Sequence, residues 1–86
     1  MSYRIEWRPA AAKALEGLPR DLARRIYTRV SSLAEDPRPS GCEKLAGGHN
    51  EYRVRVGDYR IVYAVNDRAV LVLVLVVGHR REVYRR

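Results

Sequence analysis

The stretch EYRVRVGDYRIVYAV, residues 51–65, places Arg53, Arg55 and Arg60 within an otherwise apolar pattern that predicts a β-hairpin. Its central Gly-Asp dipeptide is typical of a two-residue hairpin turn. Such a turn sets Arg55 directly opposite Arg60, and the alternation of strand side chains puts Arg53 on the same face. Like charges that face each other destabilise a strand pair by ~0.2–1 kcal/mol, so folding alone does not explain this arrangement.

The arginine cluster has two interpretations. In one, long arginine side chains extend from a solvated sheet face into water. In the other, guanidinium groups from two strands bind the oxygens of one phosphate. The C-terminal HRREVYRR favours the second, because Arg80 and Tyr84 lie four residues apart and share one face of a predicted helical turn.

Arginines and a phenol, without metal-binding carboxylates, suit metal-free cleavage of RNA. In that reaction the 2′-hydroxyl attacks the adjacent phosphate, cations stabilise the transition state and an acid protonates the leaving 5′-oxygen. DNA lacks the 2′-hydroxyl, so this chemistry predicts RNA as the substrate.

The composition limits the classes of protein to which the chain can belong. Its 86 residues include 17 Lys and Arg against 10 Asp and Glu, and the formal charge of +7 attracts polyanions such as RNA, DNA or an acidic protein. The single cysteine, Cys42, argues against a disulfide framework or a cysteine-based zinc site, and we expect neither a metal nor a cofactor. The longest apolar run is too short for a membrane span and the first residues do not resemble a signal peptide, so we expect a cytoplasmic protein without membrane contact.

The hydrophobic pattern predicts one α+β domain over residues 1–86. Alternation in YRIEW predicts a first strand. A short helix is predicted from Pro9, and a second helix from Pro19 carries an apolar stripe until EDPRPSG ends it. Residues 36–50 are rich in proline and glycine and are predicted as a loop, with Leu45 as its anchor into the core.

Three further strands are predicted in EYRVRV, YRIVYAV and AVLVLVLVV. The dipeptides GD and ND between them predict two-residue turns. The last of these strands is apolar on both faces, so we expect it inside the sheet, with the first strand of the chain beside it. The predicted fold is two N-terminal helices packed on a four-stranded sheet, followed by a short C-terminal helical turn.

Three motifs in the second half of the chain resemble the RelE toxins of bacterial RelE/ParE-type toxin–antitoxin systems. KLAGGHNEYRVRV, GDYRIVYAV and VVGHRREVYRR are similar to that family's Lys-Leu-x-Gly loop, Tyr-Arg-x-x-Tyr strand and Gly-His-Arg-x-x-x-Tyr tail. The resemblance implies a curved four-stranded sheet with two helices against it. It also implies an endoribonuclease that enters the A site of the 70S ribosome and cuts mRNA. A RelB-like antitoxin would neutralise it, and the toxin–antitoxin complex would bind operator DNA.

The resemblance also implies roles for particular side chains. Arg60 matches the strand arginine that binds the scissile phosphate, and Arg80 matches the tail arginine that stabilises or protonates the leaving group. Tyr84 matches the C-terminal tyrosine that stacks on or orients the base next to the cut. Arg53 and Arg55 fall on two lysines that stabilise charge and act as base.

These two arginines depart from the family pattern. Arginine keeps its proton at any ordinary pH, with a pKa above about 12, so Arg55 is a poor general base. Either Tyr84 serves as base with a pKa lowered by neighbouring cations, or no strong base is needed. We favour the second account, in which electrostatic stabilisation and in-line alignment supply most of the rate.

Other basic residues are candidates for contacts with ribosomal RNA phosphates. They are Lys13, Arg20, Arg24, Arg25, Arg29, Lys44 and Arg81. The alternative for this set is a solvated surface. His79, just after a glycine that ends a strand, and His49, in a loop, are interpreted as structural rather than catalytic.

Two other functions are compatible with the sequence. A ParE-like toxin of the same fold would bind DNA gyrase and perform no nuclease chemistry. A catalytically weak relative would act mainly with its antitoxin as a co-repressor, an alternative that the missing lysines keep open. The mRNA endonuclease is favoured because the arginine–tyrosine constellation of Arg60, Arg80 and Tyr84 is intact.

Overall fold

In the computed structural model, which describes residues 2–80, two helices cover one face of a five-stranded mixed sheet. The elements in chain order are β1 (Arg4–Trp7), α1 (Pro9–Glu16), α2 (Arg20–Ser32), β2 (Glu43–Lys44), β3 (Glu51–Val56), β4 (Tyr59–Asn66) and β5 (Leu71–His79). The strands lie in the order β1-β5-β4-β3-β2. β1 lies beside β5 as expected and is parallel to it, and the other neighbours are antiparallel.

The two helices begin and end where the sequence predicts. Pro9 is the first residue of α1, where its missing N–H costs no helical hydrogen bond, and Gly17 caps the other end. α2 buries Ile26 and Val30 on one stripe, and Leu33 continues that stripe directly after the helix. This apolar stripe holds α2 against the sheet, since an amphipathic helix is stabilised mainly by packing.

The main core lies between the helices and the sheet face that they cover, called here the inner face. The strand side chains fully buried in it are Val54, Ile61, Tyr63, Val65, Val72 and Val74. A smaller apolar cluster lies on the opposite, outer face, where Leu45 packs against buried Val62 and Leu75. Leu45 is therefore an anchor as predicted, but on the outer face rather than in the main core.

The segment predicted as a loop contains a fifth strand. Glu43 pairs with Arg53 and Lys44 with Tyr52, and the amide of Leu45 then donates to the carbonyl of Glu51 at 2.9 Å. The sheet therefore has five strands rather than the four predicted. Two residues are too few for a period-two pattern, and only the pairing with β3 makes them a strand.

The prediction of a two-residue turn at ND is wrong. Asn66 still belongs to β4 and pairs with Leu71, so four residues, 67–70, connect the strands. The side-chain oxygen of Asn66 accepts a hydrogen bond from the amide of Ala69 at 3.0 Å, and Val70 has a φ of +52°. The side chain of Asn66 thus organises a wider loop than the dipeptide alone predicts.

β5 contains one residue more than its pairing with β4 requires. Tyr63 pairs with Val74, whereas Val62 pairs with Val76, so Leu75 is the extra residue. A bulge of this kind shifts the alternation of side chains by one position. Leu75 and Val76 both contribute to the outer cluster, and the remainder of β5 exchanges faces relative to an unbroken strand.

A polar network joins four separate parts of the chain. Arg38, in the loop after α2, donates two hydrogen bonds to Asp67 in the β4–β5 loop, at 2.8 and 3.2 Å, and a third to the Tyr52 hydroxyl at 2.9 Å. The Tyr3 hydroxyl donates to Asp67 at 2.7 Å. The guanidinium carbon of Arg38 also lies 5.2 Å from the centre of the Tyr52 ring, a cation–π distance. The network fixes a loop that has little regular structure of its own.

Two further sequence predictions concern the C-terminal helical turn and the membrane. The predicted C-terminal helical turn, with Arg81 and Tyr84, lies outside the described residues. Within residues 2–80, no helix is long and apolar enough to cross a membrane.

The substitution Asp67→Asn tests the polar network. Hydrogen bonds from Arg38 and then Tyr3 hold the pKa of the Asp67 carboxyl below its usual value. The carboxylate therefore adds stability above its usual pKa, and this contribution is lost as the pH falls through the lowered value in the folded protein. We expect Asp67→Asn to lower the melting temperature at pH 7, with the difference from the parent protein disappearing in acid.

The matched control for this prediction is Glu16→Gln. Glu16 is an exposed carboxylate with no hydrogen bond or ion pair within residues 2–80. Thermal unfolding followed by circular dichroism over a pH series measures both variants. Equal melting temperatures for Asp67→Asn and the parent protein at neutral pH would contradict the network.

Candidate active site

Arg55, Arg60 and Gly78 form a row across three strands on the outer face. Gly57 and Asp58 make the predicted two-residue turn, so Val56 pairs with Tyr59 and Arg55 with Arg60 as the sequence predicts. On the other side of β4, Arg60 pairs with Gly78 of β5. Glycine has no side chain, so β5 places nothing beside the Arg60 side chain at this register position.

Arg60 is a buried arginine, with 6% of its surface exposed. Its Nε is buried and has no hydrogen-bond acceptor within residues 2–80, and no carboxylate in that part of the chain pairs with its guanidinium. A buried donor without a partner destabilises a fold by about 1–3 kcal/mol. An anion bound to Arg60 would provide the missing acceptor.

Arg53 differs from Arg60 in its surroundings. Its Nη2 donates to Glu43 at 2.9 Å in an ion pair, and its side chain is 13% exposed. β2 supplies this carboxylate, so the positive charge of Arg53 is already partly balanced. Sequence analysis missed Glu43, because the pairing partner of Arg53 lies in a segment predicted as a loop.

Arg80 follows the row at the end of β5. Its backbone amide donates to the carbonyl of Asp58 at 2.9 Å, so the Arg80 backbone lies beside the turn that sets Arg55 opposite Arg60. Arg80 is exposed, as Arg55 is. The structure therefore places the backbones of the three arginines at one end of the β3–β4 hairpin. Tyr84 lies outside the described residues, so its contribution stays a prediction.

Neither histidine belongs to this row: His79 is adjacent to Gly78 but contacts Tyr59 at the next register position, and His49 is distant from it. The ring of His79 contacts Tyr59 edge-on, with 5.7 Å between ring centres, and Tyr59 packs against the inner-face core. His49 lines a shallow cleft with Ala64 and Asn66, at the other end of β4. No His, Cys, Asp and Glu side chains in residues 2–80 are grouped in threes or more as metal ligands.

A groove beside α2 separates the other basic candidates into two sets. Arg24, Arg25 and Arg29 of α2 line this groove together with Arg55 and Gly57 at the end of β3. The remaining described candidates, Lys13, Arg20 and Lys44, are exposed and do not line it. Sequence analysis did not connect α2 with Arg55, because that contact depends on the tertiary packing of the helix.

A comparison with protein families identifies the chain. The family described as ParE toxin of type II toxin–antitoxin systems, parDE, matches residues 5–84. The chain belongs to the RelE/ParE superfamily of toxins. The resemblance inferred from the arginine and tyrosine motifs is thus confirmed.

Individual RelE/ParE proteins are similar over nearly the whole chain. Toxin RelG of Mycobacterium tuberculosis is 32% identical over 90 residues, which cover 100% of both sequences. The archaeal RelE–RelB complex from Pyrococcus horikoshii contains a chain that is 33% identical, with a TM-score of 0.82 over 93% of this chain and 97% of that one. A mutant of E. coli toxin RelE in the free state is 29% identical, with a TM-score of 0.83 over 99% and 93% of the two chains. The α+β fold is therefore that of the RelE toxins.

The substitution Arg60→Met tests whether the fold carries an unsatisfied cation. Methionine retains an unbranched side chain but buries no donor, so we expect the free energy of unfolding to rise by about 1–3 kcal/mol. Urea unfolding in a phosphate-free buffer measures the change. The exposed Arg55 serves as control, and Arg55→Met should alter stability by no more than about 0.5 kcal/mol. A loss of stability in Arg60→Met would contradict this account of the site.

Proposed function

We propose that the chain is the toxin of a toxin–antitoxin pair and acts as a ribosome-dependent mRNA endonuclease. The observation that carries this proposal is the buried Arg60, which lacks an acidic partner within residues 2–80 and lies between Arg55 and the side-chain-free Gly78. A fold retains such a cation when its ligand is an anion. The phosphate of an RNA strand fits both the charge and the geometry of paired guanidinium groups.

The proposed reaction is attack by an RNA 2′-hydroxyl on its own 3′-phosphate. The 2′-oxygen forms a bond to phosphorus and gives its proton to solvent water or hydroxide, and the bond from phosphorus to the 5′-oxygen breaks. The leaving 5′-oxygen takes up a proton, and the other product ends in a 2′,3′-cyclic phosphate. Arg60 binds the non-bridging oxygens, Arg55 adds positive charge, and Arg80 stabilises or protonates the leaving group.

This mechanism depends on charge and alignment more than on a general base. Arg53 and Arg55 keep their protons at ordinary pH, so neither removes the proton of the 2′-hydroxyl. The ribosome would hold the mRNA in line, and preorganised cations would stabilise the dianionic transition state. Tyr84 is proposed to orient the base next to the cut.

The proposed partners follow from the charge of +7 and from the relatives. The chains from Pyrococcus horikoshii and E. coli form RelE–RelB complexes. For this chain we propose an acidic, amphipathic RelB-like antitoxin, bound through opposite charge and apolar burial, and a joint complex on operator DNA. The candidate residues outside both the arginine row and the α2 groove, Lys13, Arg20, Lys44 and Arg81, would attract the cytoplasmic 70S ribosome.

A gyrase-binding toxin is the second candidate. It is favoured by the matched family itself, which is described as ParE of parDE. Such a toxin acts by binding, so a buried cation without an acidic partner would have no catalytic role in it. The two candidates therefore predict different consequences for loss of Arg60.

Induction of the chain without an antitoxin distinguishes these functions. We expect new mRNA 5′ ends within translated codons, and a rate lower by about 10²–10³-fold in Arg60→Ala, as for loss of one transition-state donor. The control Arg4→Ala removes an exposed arginine paired with Glu6 and should cleave normally. Double-strand DNA breaks with intact mRNA would instead favour gyrase binding. If neither mRNA cleavage nor DNA breaks are found, the co-repressor is favoured.

The pH dependence of cleavage tests the absence of a general base. In single-turnover assays on ribosomes, we expect the rate to rise from about pH 6 to about pH 9 without levelling, because arginine does not titrate there. Arg55→Lys introduces an amine whose pKa the facing Arg60 lowers, so the rate of this variant should level off within that range. A plateau in the parent protein would contradict the mechanism.

A further inference from the structure

The groove between α2 and the end of β3 is lined by arginine. Arg24, Arg25 and Arg29 face it from the helix, and Arg55 from the strand. The hydroxyl residues Thr28 and Ser32 complete the helical side, and no carboxylate of residues 2–80 lines the groove.

The spacing of these arginines concentrates their charge. Arg25 and Arg29 are four residues apart, so they are neighbours on the helix surface, and a like-charged pair at this spacing destabilises a helix by about 0.2–0.5 kcal/mol. Arg55 brings another positive charge to the same groove from a different element. Repulsion of this kind is relieved when an anion binds among the guanidinium groups.

The hairpin turn allows the helix arginines to approach the strand closely. Nη2 of Arg25 lies 3.9 Å from the position that a Cβ atom on Gly57 would occupy. Gly57 has a φ of +57°, a conformation that favours glycine and that the two-residue turn requires. The same turn therefore sets Arg55 opposite Arg60 and lies within contact distance of Arg25.

Arg55 belongs to both basic surfaces. It pairs across the hairpin with Arg60 on the outer face, and its side chain also lines the α2 groove. A chain of guanidinium groups thus runs from the buried Arg60 over the end of β3 to α2. The spacing of charges along a path suits a polymer of phosphates better than a single anion.

We propose that the α2 groove binds phosphates of the same RNA strand whose cleaved phosphate Arg60 holds. This inference rests on the proposed function for the identity of the bound strand. The groove would then position the nucleotides on one side of the cut, whereas Lys13, Arg20, Lys44 and Arg81 would contact the ribosome. Four of the eight described lining residues are arginines and none is acidic, and this concentration of positive charge favours a strand of phosphates. Most of the lining surface is apolar, so an acidic amphipathic segment is the alternative that the test distinguishes.

Binding of single-stranded RNA to the full chain tests the proposal. The probes are labelled oligonucleotides with every 2′-hydroxyl methylated, so that no attack is available and binding is measured without cleavage. One probe is a dinucleotide that fills only the Arg60 row, and the other is an octanucleotide that reaches the groove. Fluorescence anisotropy over a series of salt concentrations gives the affinity and its salt dependence.

The groove variant is the double substitution Arg25→Gln and Arg29→Gln. Each phosphate contact with a single strand contributes about 0.7 to the slope of log affinity against log salt, so we expect the octanucleotide slope to fall by about 1.4. Its affinity at low salt should fall at least tenfold, while that of the dinucleotide should be unchanged. The control variant, Arg4→Gln with Arg68→Gln, removes two exposed arginines outside the groove and should leave both affinities unchanged.

Several results would overturn the proposal. They are an equal loss for both probes, an equal loss in the control, and no binding of the octanucleotide by the parent protein. Unchanged RNA affinity with weaker binding of 70S ribosomes or of poly-glutamate would assign the groove to ribosomal RNA or to an acidic partner. Because the probes cannot be cleaved, a parent protein that binds them as expected but cuts no mRNA would overturn the proposed function and leave only the binding of RNA in the groove established.

Discussion

The arrangement of the candidate site depends on one extra residue in β5. An unbroken alternation after Val74 would send Val77 to the outer face and Gly78 to the inner face. The bulge at Leu75 reverses this, so that Val77 returns to the core and Gly78 lies beside Arg60. Without that shift, the apolar side chain of Val77 would adjoin the guanidinium, at the position where we propose that an anion binds. The bulge therefore connects the packing of the core to the chemistry of the outer face.

The fold supports an unfavourable charge arrangement on one face with strong packing on the other. Tyr63, Ile61 and Val65 of β4 are fully or almost fully buried on the inner face, on the same strand that carries Arg60 on the outer face. The loop that adds β2 is held by Arg38 and Asp67, at the end of the sheet away from the hairpin turn. The buried Nε of Arg60, which has no acceptor within residues 2–80, thus lies on a strand whose opposite face is packed in the main core.

Much of this molecule could be predicted from its sequence because its signals are local. The GD turn set the pairing of Arg55 with Arg60 by counting alone, and Pro9 and Gly17 bounded a helix. The bulge gave no signal in the sequence. AVLVLVLVV is apolar at every position, so the sequence does not show which residues face inward and which face outward. The carboxylate of Glu43 and the groove beside α2 were missed for a related reason, since both arise from contacts between elements distant in the sequence.

The two arginines that face each other across the hairpin are suited to different tasks. Arg60 is buried and flanked on both sides by paired strands, so its position is set before any ligand arrives. Arg55 is exposed and reaches both the row and the groove, so its side chain can adjust to the ligand. A fixed cation loses little entropy when a phosphate binds. Such a cation is suited to stabilise a transition state, because the negative charge of the transition state develops at one defined position. An adjustable cation is better suited to follow a flexible strand. The turn at Gly57 pairs the fixed Arg60 with the exposed Arg55, so a single hairpin of this small domain carries both kinds of cation.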